Sequence, residues 1–155
     1  MKINIALLSA VLLVSTGVFA APPDAAPAAK SAAKPAKPVT YVTFDHSTEL
    51  LLDKDAAKAI WTEAVPGKVA KAYSPKKWGF VTEVEGGFNA AKTCVVSARV
   101  MLLPLGVNGK TMLFKPAKTT STFDASPTAT KEQCAELARG KLKEAIHAMM
   151  VALGG

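Results

Sequence analysis

Histidine and cysteine are among the scarcest chemistry-bearing residues of this chain of 155, with two of each. Two cysteines without a nearby histidine or carboxylate cluster are too few for a structural zinc site, and Cys94 and Cys134 are far too separated for a CxxC redox pair. No phosphate-cradling glycine loop and no nucleophile elbow is found. No metal and no cofactor is therefore expected. An acidic excess is missing as well, since the chain carries nineteen Lys and Arg against twelve Asp and Glu. Seven of the basic residues' surplus charges do not all belong to the folded part. From Val39 onward there are fifteen basic and eleven acidic residues, a net of +4. That balance suits weak attraction to anionic envelope polymers or lipid head groups and does not indicate nucleic-acid binding.

What the chain does have begins with its N-terminus. "MKINIALLSAVLLVSTGVFA" sets one charge, Lys2, before an apolar core and a small-residue exit through Val18 and Ala20. This is the pattern of a signal peptide over 1–20, cleaved near Ala20. No cysteine follows the cleavage point, which argues against a lipid-anchored mature form. Residues 21–38, "APPDAAPAAKSAAKPAKP", contain no large apolar side chain and cannot offset their own ordering entropy, so they read as a disordered linker. Residues 39–155 have the length of a single domain. Export takes that domain to an oxidising compartment, periplasmic or secreted, where two cysteines form a structural bridge by default. Pairing Cys94 with Cys134 closes a loop of about forty residues and, in the chain-entropy model, contributes about 4 kcal/mol.

The apolar periodicities predict an α+β fold in the order β-α-β-β-β-α. "TYVTFD" alternates as a first strand over Thr40 to Asp45. Asp53 is placed to cap a helix whose Leu52, Ala56, Ile60 and Ala64 recur at helical spacing, ending at Pro66 and Gly67, with "KVAKAY" adding a turn or two. In "WGFVTEVE", Trp78, Phe80, Thr82 and Val84 share one face and Glu83 and Glu85 the other. "TCVVSARVMLL" reads as a central strand with Cys94, Val96, Ala98, Val100 and Leu102 inward. Asn108 and Gly109 suit a tight hairpin turn, so "KTMLF" is expected to pair back, with "KTTSTFD" as its continuation or as an edge strand after Pro116. Thr130 and Gln133 make a capping box for a final helix with a stripe of Cys134, Ala138, Leu142, Ala145, Met149 and Leu153. Together these predict a small antiparallel sheet of about four strands with the C-terminal helix on it, fastened by Cys134 to Cys94.

Chemistry is harder to find. Asp45, His46 and Ser47 are consecutive, and strand neighbours point to opposite faces, so they cannot form a nucleophile relay; local hydrogen bonds and a turn are the expected role. His147 falls on a solvated helix side. Glu83 and Glu85 have the spacing of a wet sheet face. The segment "KVAKAYSPKKWGF" interleaves Lys68, Lys71, Lys76 and Lys77 with Tyr73 and Trp78, a mixture suited to sugars, anionic polymers or a protein surface. Arg99 joins these as a binding candidate.

The stretch "VTFDHSTELLLDKDAAKAI" resembles the opening strand and helix of the OmpA-like peptidoglycan-binding domain, where a strand ending in Phe-Asp leads through a Ser to an acidic, alanine-rich helix. The likeness is confined to residues 42–60. Beyond them, "VEGGFNAAKTC" lacks the aspartate of the family's next loop and "CVVSARVMLL" is a strand where the family has a helix. Arg99 matches the family's ligand-binding arginine only by laying that strand on that helix, and the chain is not assigned to the family.

The expectation is thus an exported, non-catalytic binding protein of the bacterial-type cell envelope, directed at a protein partner as an inhibitor, immunity-like protein or assembly factor. Association with peptidoglycan or another anionic polymer or lipid surface is the alternative. A small periplasmic hydrolase or thiol enzyme is the third reading.

Overall fold

The computed structural model describes residues 39–107 and 112–155. The signal peptide over 1–20, the linker over 21–38 and the Asn108–Gly109 turn lie outside the described residues. Seven elements follow one another: β1 (Thr40–Asp45), α1 (Lys54–Ala64), α2 (Gly67–Ala72), β2 (Trp78–Phe88), β3 (Cys94–Pro104), β4 (Lys118–Ser126) and α3 (Lys131–Ala152). The strands form one sheet in sequence order.

The α+β class and the helix on the sheet agree with the periodicity, but the sheet is mixed rather than wholly antiparallel. β1 runs parallel to β2, with Thr43 opposite Thr82, whereas β2–β3 and β3–β4 are antiparallel. The reason is connection length: the 46–77 segment folds into α1 and α2 and crosses over the sheet, which a parallel neighbour requires and a hairpin does not.

A second correction concerns "KTMLF". Leu105 and Met112 form an isolated antiparallel bridge, and among the described residues no strand extends from it. Leu113 N–H donates to the Pro104 carbonyl, but proline has no N–H to return the bond, so a ladder pair cannot be completed there. Pairing resumes after Pro116, and "KTTSTFDAS" is the edge strand.

One layer of helices covers one face of the sheet. Phe80, Val84, Val96, Ala98, Val100 and Leu102 point into it and are buried, as are Cys134, Ala138, Leu142, Ala145, Ile146 and Met149 of α3. α3 packs on β3 and β4, and α1 packs beside it. Trp61 of α1 fills the other end of this core, stacked on Tyr41 and tilted against Phe80, each with ring centroids 5.2 Å apart. The Thr130/Gln133 capping box starts α3, and the Asp53 carboxylate accepts the Ala56 N–H to start α1. Both caps use side chains to satisfy N–H groups that a helix cannot satisfy itself. Cys94 and Cys134 are disulfide-bonded with Cα atoms 5.7 Å apart, joining β3 to α3.

Gly86 bends β2 close to its neighbour: a Cβ there would stand 2.7 Å from the Val95 carbonyl oxygen. Asn89 then closes the turn to β3, its Oδ1 accepting the N–H groups of Ala91 and Thr93.

Candidate functional site

Strand alternation that buries one face of the sheet sends the remaining side chains to the other face. Among the described residues no helix lies on that second face, and its composition is mixed. Val42 and Phe44 come from β1, Val81, Glu83 and Glu85 from β2, Val95, Ser97, Arg99 and Met101 from β3, and Phe123 from β4. The register places them in cross-strand rows: Phe44, Glu83, Arg99 and Ser121 in one, and Glu85, Ser97 and Phe123 in the next. Glu83 and Arg99 are ion-paired at 3.5 Å in the middle. Phe44 is 46% exposed and Phe123 67% exposed on either side of the pair. His46 extends the first edge, its ring stacked on Phe44 at 6.0 Å. Beside Phe123, a depression of about 390 Å³ is lined by Thr48, Glu85, Gly87, Phe88 and Ser97. Two exposed aromatic rings about a central ion pair can meet a second surface with both apolar contact and a fixed orientation.

The residues singled out in sequence divide between two places. Lys68 and Lys71 of α2 and Lys76 and Lys77 of the following turn are exposed. Tyr73 and Trp78 are half-buried, edge to face at 5.8 Å, and both pack against the core. These six form one cationic end with its aromatics turned partly inward. Arg99 is not among them: it projects from the uncovered face, whereas Trp78 follows Phe80 on the covered one. Phe44 and Phe123 escaped the sequence reading. The signal for Phe44 was present, since Val42 and Phe44 alternate with Tyr41 and Thr43 and make both faces of β1 partly apolar.

Asp45 also does more than its neighbours suggested. Its Oδ1 accepts the Ser47 N–H at 2.8 Å, and its Oδ2 accepts the N–H groups of Leu51 and Leu52 at 2.9 and 2.8 Å. Asp45 therefore holds the loop that buries Leu51 and Leu52, and its lone pairs are committed to that loop. His147 is exposed. The disulfide leaves neither sulfur as a free thiolate, the form a thiol nucleophile needs. Among the described residues no cluster of three His, Cys, Asp or Glu could hold a metal ion, and no helix is long and apolar enough to cross a membrane.

The chain is an α+β domain with a mixed four-stranded sheet; among the described residues its second face carries no helix, and Leu105 and Met112 pack against it at the Gly79 end. No protein-family model and no curated protein matches it. Among solved structures it is similar to a candidate lipoprotein from Caulobacter crescentus, at 13% identity over 72% of this chain and 86% of the other, with a TM-score of 0.33. A likeness at that level carries no functional argument.

Proposed function

We propose that the chain is an exported, non-catalytic binding protein of the bacterial-type cell envelope that recognises a protein partner through the uncovered sheet face. The observation that carries the proposal is the pair of exposed rings, Phe44 and Phe123, about the Glu83–Arg99 ion pair on a face that no helix of the described residues covers. The signal-like N-terminus and the Cys94–Cys134 bridge support an oxidising, extracytoplasmic location. A rigid domain of this kind suits an inhibitor, immunity-like protein or assembly factor, each of which works by presenting a fixed surface.

The exposed Lys68, Lys71, Lys76 and Lys77 favour a second reading, attachment to an anionic polymer such as peptidoglycan. Salt separates the two, because exposed charges are screened within about 8 Å at physiological ionic strength while apolar contact is not. The oxidised mature protein is used as bait in envelope extract at low and high salt, beside Phe44→Lys/Phe123→Lys and Lys76→Glu/Lys77→Glu variants. One stoichiometric protein retained at high salt and lost with the double phenylalanine variant is the expected result. Recovery of glycan or lipid alone, at low salt only and lost with the lysine variant, would replace it by the polymer reading.

A further inference from the structure

β1 is an edge strand whose outer side faces a groove rather than a neighbour. The N–H groups of His46 and Thr48 bond to Val84 and Gly86 of β2, so in this parallel ladder the even-numbered residues direct their backbone toward β2. The N–H and C=O of Tyr41 and Thr43 therefore point outward, with no strand beside them among the described residues. The groove they open into has a volume of about 520 Å³, and α1 forms its other wall through Lys54, Asp55, Ala57 and Lys58. A second depression of about 230 Å³ continues it past Phe44 to Leu50, which is 71% exposed. "TYVTFD" has no lysine, proline or bulge of the kind that blunts natural edges, and its one charge, Asp45, sits at the strand end and is committed to the 46–52 loop.

We infer that this edge pairs with the same edge of a second copy, β1 against β1 antiparallel about a two-fold axis at Thr43, giving a continuous eight-stranded sheet. Three features make the edge complementary to itself. Centring on Thr43 sets the outward backbone groups of each Tyr41 against those of Asp45 in the other copy, so the ladder closes on both sides. The same register places Val42 opposite Phe44 of the second copy, and the reverse, covering side chains now 39% and 46% exposed. The groove's α1 side carries both signs in balance, Asp53 and Lys54 beside Asp55 and Lys58; Asp55 and Lys58 are one turn apart, and neither is ion-paired among the described residues. A two-fold axis between them sets each Lys58 against the other copy's Asp55, whereas an acidic or a basic peptide would leave one sign unmatched. Isologous two-fold pairing of this kind is the commonest form of assembly. The dimer joins two uncovered faces into one; it covers part of each Phe44 and leaves Phe123 and the Glu83–Arg99 pair to whatever those faces bind.

Sedimentation equilibrium of the mature oxidised protein tests the assignment, with far-UV circular dichroism confirming that each variant is folded. At about 0.1 mM the parent is expected to sediment as a dimer. Phe44→Lys is expected to give a monomer, and Asp55→Lys and Lys58→Asp each to weaken association about tenfold. Combining Asp55→Lys with Lys58→Asp restores it, because the exchanged charges again face each other. A monomeric parent at that concentration overturns the inference. So does a dimer indifferent to Phe44→Lys, or a double charge exchange no tighter than its singles.

Discussion

The two edges of the sheet carry the same kind of residues and are held very differently. At the β4 edge, Thr120 and Thr122 donate their hydroxyls to the Ala145 and Lys141 carbonyls of α3, both at 2.9 Å. Lys141 also reaches back to Asp124 at 3.3 Å, and the disulfide ties the adjoining β3 to the start of α3. At the β1 edge, the buried hydroxyl of Thr43 finds no partner among the described residues, nor does that of Thr82 opposite it. The Asp45 carboxylate fastens one end of that strand through the loop to Leu52, and at the other end the Thr40 hydroxyl donates to the Pro75 carbonyl at 3.4 Å. The comparison teaches that threonine in a strand is not one role: beside a helix backbone it is a clamp, and beside a parallel neighbour it is a methyl group with a spare hydroxyl.

Removing the strongest clamp should have the largest effect. Cys94→Ala/Cys134→Ala is expected to lose about 4 kcal/mol of unfolding free energy by urea titration, with amides of β4 and α3 gaining most in hydrogen exchange. Asp45→Ala comes next, at about 3 kcal/mol, because it strands the N–H groups of Leu51 and Leu52; proteolysis should then begin in the 46–53 loop. Thr120→Val and Thr122→Val should each cost about 1 kcal/mol, whereas Thr43→Val should change stability by less than about 0.5 kcal/mol. Equal losses at all three threonines would abolish the contrast between the edges.

The smallest effect is electrostatic. The Ala125 N–H and then the Lys141 ammonium hold the Asp124 carboxyl below its ordinary value of 3.8. A carboxylate depressed in the folded state contributes stability above its ordinary pKa and loses it as pH falls through the folded one. The difference in Tm between the parent and Asp124→Asn should therefore be largest near neutrality and shrink below pH 3.8.

Much of this architecture was legible in the residues. Alternation located β1 at Thr40–Asp45 and sorted the inward and outward sides of β2 and β3, and the capping box located the start of α3. The Cys94–Cys134 pairing was read from the expected export to an oxidising compartment, and both residues lying on inward stripes agreed with it. Strand direction was not legible, because Thr40–Asp45 has the same alternation whether it runs parallel or antiparallel to Trp78–Phe88. The "KTMLF" segment misled because its composition suits a strand, while Pro104 and Pro116, which bound it, decide the pairing. The uncovered face could be read in Glu83, Glu85 and Arg99. Its aromatic flank from Phe123 could not, since that depends on β4 being an edge and on Ser97 standing opposite.

The most direct test of partner recognition by the open face is hydroxyl-radical footprinting of the mature protein, free and in the complex it retains from envelope extract at high salt. The account predicts that Phe44, Phe123 and Met101 lose reactivity in the complex while Tyr73 and Trp78 keep theirs. Protection of Tyr73 and Trp78 with Phe44 and Phe123 still reactive, or no complex at high salt, would contradict it.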